Sequence, residues 1–175
     1  RRTRQRGHCL TRAATAVALR PLADADRGRI EEISRSVGVF RDDEIAVALE
    51  VFDASRKPGQ TDYQTLGADL DGRLVAWVCW GHTPCTEGTW DLYWIAVDPA
   101  AQGSGIGGAL MDEVEGRLAG VARLIVVETS GRAAYAPTRA FYQARGYRMA
   151  AVVPEFYAAG DAQVIFTKAP AAVGR

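Results

Sequence analysis

The chain has 175 residues, which at ~100–200 residues per domain amounts to a single domain. Hydrophobic residues make up 48% and charged residues 24%, an ordinary globular balance that excludes a disordered chain. Lys+Arg and Asp+Glu both number 21, so the formal net charge is zero, and a dedicated nucleic-acid or membrane-surface protein is not expected.

The charge is unevenly spread. Residues 1–12 hold Arg1, Arg2, Arg4, Arg6 and Arg12 and no acid, so they read as a basic, frayed leader before a mildly acidic domain over 13–170 and a short tail over 171–175. Cys9, Cys79 and Cys85 are odd in number and lack a C-x-x-C pair. No disulfide framework or metal site is expected, and a reducing, cytoplasmic setting fits best. The longest apolar run, Leu74–Trp80, is far short of the ~20 residues that span a membrane. Ala13–Leu19 is too short for a signal peptide and is closed by Arg20-Pro21, so it is read as leading into a first strand.

In chain order, Val17–Arg20 is a short strand closed by Pro21. Asp24 or Asp26 caps a helix running to about Ser36, with Ile30 and Ile33 on its apolar face. A second helix from Asp42 to about Arg56 sets Ile45, Ala48, Leu49 and Phe52 at helical spacing, and Lys57-Pro58-Gly59 stops it. Tyr63–Leu70 and Arg73–Gly81 flank Asp71-Gly72, the pair that supplies positive φ in a type I′ hairpin turn. Thr89–Val97 completes an antiparallel meander after a reversal at Pro84–Gly88. Ile106, Leu110, Val114 and Leu118 mark an amphipathic helix. Leu124–Thr129 is a buried strand, parallel to Thr89–Val97 because a helix joins them. Tyr135–Ala144 is a helix stopped at Gly146. Tyr147–Val153 and Gln163–Lys168 are a last strand pair around a loop at Pro154–Ala162.

Chemistry concentrates in Gln102-Gly103-Ser104-Gly105-Ile106-Gly107-Gly108, between a strand and a helix. Glycines let the backbone approach a ligand closely, and the free N–H groups and helix dipole favour an anion such as a phosphate. Gly103-x-Gly105-x-x-Gly108 also satisfies the dinucleotide fingerprint, with Glu128 at the place of a ribose-binding acid. The context argues otherwise. Asp98–Gln102 separates strand from glycines, and a meander rather than alternating β and α precedes them.

The same residues resemble the GNAT superfamily of N-acetyltransferases. Its strand, Val-x-Pro and Gln-x-x-Gly-x-Gly signature corresponds to Ile95-Ala96-Val97-Asp98-Pro99 followed by Gln102–Gly107. Its aromatic-Tyr pair followed by Gly-aromatic corresponds to Phe141-Tyr142 and Gly146-Tyr147. The element order agrees over about residues 15–168. The resemblance implies an α/β domain: a mixed sheet of antiparallel meander, βαβ crossover and C-terminal strand pair, flanked by about four helices.

It also implies an acetyl-CoA-dependent N-acetyltransferase. The backbone from Gln102 through Gly103, Ser104, Gly105 and Ile106 to Gly107 would bind the coenzyme A pyrophosphate. The edge of the strand at Ile95, Ala96 and Val97 would pair with the pantetheine arm. Tyr135 stands near an asparagine that commonly contacts pantetheine. A splay between Thr89–Val97 and the next strand, such as a bulge produces, would open a cleft for the thioester. Tyr142 stands at the general-acid position, and Glu128 resembles the base of relatives that acetylate protein N-termini. Asp91 is an alternative base, His82 a weaker one, and a base can act through water. Trp80, Trp90 and Trp94 read as core and sheet-face residues. Glu155, Phe156, Tyr157 and Asp161 would border a small-molecule or peptide amine acceptor. A homodimer is allowed. The competing function is a GNAT-fold module that binds acyl-CoA without turnover.

Overall fold

A computed structural model describes residues 17–170, so the basic leader, Cys9 and the 171–175 tail lie outside the described residues. Seven strands form one mixed sheet. In chain order these are β1 (Val17–Arg20), β2 (Gln64–Leu70), β3 (Arg73–His82), β4 (Thr89–Val97), β5 (Leu124–Ser130), β6 (Arg148–Ala158) and β7 (Asp161–Lys168), arranged β1-β2-β3-β4-β5-β7-β6. Every neighbouring pair is antiparallel except β4 and β5. Among the described residues no helix is long and apolar enough to cross a membrane.

Four helices cover the two faces: α1 (Arg27–Ser36), α2 (Asp42–Ser55), α3 (Ile106–Leu118) and α4 (Ala136–Ala144). Ile30 and Ile33 of α1 and Ile45, Ala48, Leu49 and Phe52 of α2 pack on Leu74, Trp77 and Cys79. On the other face, Ile106, Leu110, Met111, Val114 and Leu118 pack on Val78, Trp80, Leu92 and Ile125. A central strand covered on both faces has no solvent side, and Leu74 to Gly81 of β3 is buried throughout. That accounts for the apolar run at Leu74–Trp80.

Local chemistry sets most boundaries. Asp71 (φ 52°) and Gly72 (φ 79°) both take the positive φ of the expected hairpin turn. Gly146 (φ 83°) follows α4, where a left-handed residue closes the helix. A 3-10 turn at Asp24–Asp26 precedes α1, and the Asp26 carboxylate accepts from the Ala23 N–H at 2.7 Å and from the Arg20 guanidinium at 2.7 Å and 2.9 Å. The interior of the Pro154–Ala162 loop is a correction. β6 runs on to Ala158, and a tight turn at Ala159-Gly160 (Gly160 φ 78°) joins it to β7. Val153 pairs with Gln163 and Ala158 with Asp161, so Pro154–Tyr157 bulge out opposite Ala162. Proline cannot donate to a ladder and is tolerated at edges and bulges, which is why the sequence reads there as a break.

Candidate active site

One irregularity in β4 organises the site. Cys79 pairs with Trp94 but Trp80 pairs with Leu92, leaving Tyr93 as an extra residue opposite β3. A one-residue insertion exchanges the faces of everything beyond it. Trp90 and Leu92 face the α3 side, whereas Tyr93 and Trp94 both turn toward α1 and α2. Ile95 and Val97 then point back toward α3. The bend also parts the parallel strands. β4 and β5 pair only from Thr89↔Leu124 to Leu92↔Val127, after which β5 is held by β7 alone.

The gap is a narrow slit of about 90 Å³ lined by Leu92, Tyr93, Ile95, Glu128 and Tyr142. The α1–α2 loop also lines it, through Val37, Val39 and Phe40. Arg132 donates to the Val39 carbonyl at 3.0 Å and the Tyr135 hydroxyl does so at 3.5 Å, tying that loop to the segment after β5.

Beside the slit lies a cavity of about 460 Å³ lined by Ile95, Ala96, Val97, Gln102, Gly103, Gly105, Ile106 and Gly107. Gly103 (φ 76°) and Gly105 (φ 84°) are both left-handed, and a Cβ on either would project into open space. Gly105 caps α3 without a side-chain bond. The backbone N–H groups from Gly103 to Gly108 find no acceptor among the described residues, the first such bond being Ala109 N–H to the Gly105 carbonyl at 2.9 Å. A row of unpaired donors at a helix N-terminus suits a pyrophosphate, so the residues present fit coenzyme A. Pro137, Thr138 and Phe141 complete this wall. Phe141 belongs to the aromatic-Tyr pair singled out in the sequence, whereas for Pro137 and Thr138 only their position at the start of α4 could have pointed to the wall.

A cavity of about 480 Å³ lies on the other side of the slit, on the α1–α2 face. Asp91, Tyr93, Trp94 and Glu128 line it, with Phe40, Arg41, Asp43 and Glu44 from α2 and the loop before it and Tyr157 from the β6 bulge. Arg41 bonds Asp43 at 3.1 Å and lies 3.7 Å from Glu44. The α1–α2 contribution carried no sequence signal, because those residues lie about 50 or more positions from Asp91 and the glycine loop.

The expected site residues therefore divide. Glu128 is exposed, borders both slit and second cavity, and accepts from Gln163 Nε2 at 2.7 Å. Asp91 borders only the second cavity and accepts from Thr83 Oγ1 at 2.7 Å. Tyr142 is 2% exposed. Its ring packs on Phe141, Tyr147 and Phe166, and burial pushes its phenol above the usual range with no hydrogen bond among the described residues to offset it. The Ser104 side chain turns from the glycine-loop cavity and its Oγ donates to the Ala101 carbonyl at 2.5 Å, while its backbone N–H remains among the unpaired donors. Tyr135 is buried, with its phenol pushed up to about 12 mainly by that burial, and lines the slit and the second cavity rather than the glycine-loop cavity. His82 stacks edge-on against Trp90 outside these cavities. Of the last hairpin, Tyr157 alone reaches the second cavity. Phe156 is exposed, and Asp161 is buried against Ser130 Oγ at 2.5 Å and Arg132 at 3.3 Å. Among the described residues no group of His, Cys, Asp and Glu is assembled that could hold a metal ion.

Comparison with known proteins adds independent support. A sequence profile of the GNAT acetyltransferase domain matches residues 61–149. A crystal structure from Desulfovibrio desulfuricans, assigned to the GNAT family, is 40% identical with a TM-score of 0.84, over 89% of this chain and all of that one. The ribosomal-protein-S18-alanine N-acetyltransferase of Escherichia coli is 20% identical with a TM-score of 0.73, over 91% and 97% of the two chains. A Salmonella typhimurium protein assigned as an acetyltransferase, solved with its cofactor acetyl-CoA, is 18% identical with a TM-score of 0.69, over 89% and 95%. Among curated proteins none matches the sequence. With the glycine loop, the parted strands and the sheet order all in agreement, the chain belongs to the GNAT acetyltransferase family.

Proposed function

We propose that the protein is an acetyl-CoA-dependent N-acetyltransferase that passes the acetyl group to a primary amine by direct attack on the thioester. The observation that carries this reading is the slit between β4 and β5. It shares walls with the glycine-loop cavity and with the second cavity, and Tyr142 and Glu128 both line it. Acetyl-CoA, when bound, supplies an activated acyl carbon. The N–H groups from Gly103 to Gly107 hold its pyrophosphate, and Ile95 to Val97 run beside its pantetheine arm.

The chain's own groups then manage the protons. Glu128 takes the proton of the attacking amine, directly or through water, as the nitrogen–carbon bond forms. Tyr93, passed over in the β3–β4 register, lines the slit, and its backbone N–H is the candidate donor to the developing oxyanion. Tyr142 gives its phenolic proton to the sulfur as the carbon–sulfur bond breaks, and is reprotonated from solvent after product release. Asp91 sits off the slit, so Glu128 is the better placed base. Tyr135 serves the acceptor side and the loop above it.

The test is thiol release from acetyl-CoA across a panel of primary amines, with acetylated product identified by mass. Amine-dependent release supports the enzyme. Tight coenzyme A binding with no release for any amine would instead indicate a binding module.

A further inference from the structure

The second cavity differs from the first in its charge. Among the described residues, Asp43, Glu44, Asp91 and Glu128 line it with a single cation, Arg41. Asp43 and Glu44 have structural work: both engage Arg41, and Glu44 also accepts from the Arg41 N–H at 2.7 Å at the start of α2, where acids favour the helix dipole. Asp91 and Glu128 are otherwise. Each carries one neutral hydrogen bond, from Thr83 and from Gln163, and neither has a cationic partner among the described residues. Each keeps one carboxylate oxygen unengaged.

Their spacing is set by the sheet. Asp91 pairs with Val126 across the parallel ladder, and Glu128 lies two residues further along β5 on the same face. With paired strands ~4.8 Å apart and ~3.3 Å rise per residue, and with β4 and β5 parting beyond Val127, the two Cα atoms are about 8 Å apart or a little more. Glu128 is at the slit and Asp91 at the far side. Tyr93, Trp94 and Tyr157 line the same cavity, and aromatic faces attract organic cations.

We infer that the acceptor carries two amine nitrogens: one that reacts, as the neutral amine, beside Glu128, and a second held as an ammonium at Asp91. A short α,ω-diaminoalkane of about five carbons has the length that the strand geometry sets. This rests on the proposed acetyltransfer and goes beyond it by naming the acceptor's charge pattern. The reaction is unchanged. One nitrogen–carbon bond forms, the carbon–sulfur bond breaks, and the distal ammonium keeps its protons throughout.

Three five-carbon acceptors test it in the full chain: 1,5-diaminopentane, pentylamine and 5-aminopentanoate, which end in a positive, a neutral and a negative group. The expected order of kcat/KM is diamine, then monoamine, then amino acid. The diamine should lead the monoamine by about 10-fold or more, mainly through KM, because a charge-assisted contact made equally in ground and transition states acts as uniform binding. The lead should narrow as salt is raised. In Asp91→Asn the diamine-to-monoamine ratio should fall to within about 3-fold of one. Equal turnover of diamine and monoamine in the parent, or a ratio that survives Asp91→Asn, overturns the inference while leaving the acetyltransferase reading intact. Absence of thiol release with any amine overturns that reading, and this inference with it.

Discussion

Replacing Tyr142 by Phe removes one oxygen from a side chain that is 2% exposed and whose hydroxyl has no hydrogen-bond partner among the described residues to lose. The ring contacts with Phe141, Tyr147 and Phe166, at centroid distances of 5.4, 5.5 and 6.3 Å, are kept. Stability should therefore change by no more than about 0.5 kcal/mol. Turnover should not be spared. General-acid assistance contributes roughly 10²–10⁴-fold, so kcat should fall at least about 100-fold while the dissociation constant of acetyl-CoA stays within a few-fold. Burial raises the phenol above its ordinary value, and the acid works in its protonated form. Activity depending on this proton is thus fully present at neutral pH and is lost only as pH rises through the raised value, above ~10. A basic limb at ordinary thiol or amine pH belongs to another group. Against a thiol near 8.5 the transfer is uphill by at least about 1.5 units, or ~2 kcal/mol, which a proton shared in the transition state can accommodate. The assay is steady-state thiol release from pH 6 to 10, alongside calorimetric titration of coenzyme A and urea melts. Tyr147→Phe is the control, since that hydroxyl contacts Glu115 at 3.3 Å and should turn over as the parent does. Turnover of Tyr142→Phe within about 3-fold of the parent would make Tyr142 a packing residue and refute the acid assignment.

Gly105→Val should abolish coenzyme A binding in calorimetry. It should also cost about 1–2 kcal/mol in a urea melt, because a β-branched residue would sit at φ 84°; undiminished affinity would move the pyrophosphate elsewhere. Glu128→Gln keeps an acceptor for Gln163 but removes the basic carboxylate, so kcat should drop by roughly 10²–10⁴-fold with acetyl-CoA affinity unchanged. If Asp91→Asn alone lowers kcat, the base is Asp91. Gly81→Ala would bring a Cβ to 1.9 Å from the Asp62 carbonyl oxygen, a backbone clash that should cost about 2 kcal/mol or more and shift the urea midpoint well below the parent's.

Much of this architecture is written locally. Asp71-Gly72 can turn only one way economically, the Ile106–Leu118 spacing admits one apolar face, and both follow from rules that span a few residues. The glycine loop is legible for the same reason, since left-handed Gly103 and Gly105 leave the N–H groups beside them without partners. Resemblance extended this to Tyr142 and Glu128, which the fold brings to one slit. The Ser104 side chain and Tyr135 face elsewhere, although the Ser104 N–H stays in the row of unpaired donors, because facing within a loop or at a helix start depends on single φ/ψ values that the residue types leave open.

The sequence by itself determined the order of the elements, most of their bounds apart from the far end of β6, and the glycine-rich turn, because each depends on neighbours within one turn or hairpin. Only the tertiary structure decided where β4 bulges, and hence that Tyr93 and Trp94 turn toward α1 and α2 and that β4 and β5 part beyond Leu92. It alone brought the α1–α2 loop to Arg132, 93 positions away, and set Asp91 and Glu128 along one acidic wall. The physical reason is register. Any apolar-rich strand can pair one residue earlier or later, and the choice is made by the summed packing of the layers on both faces, which no local pattern records.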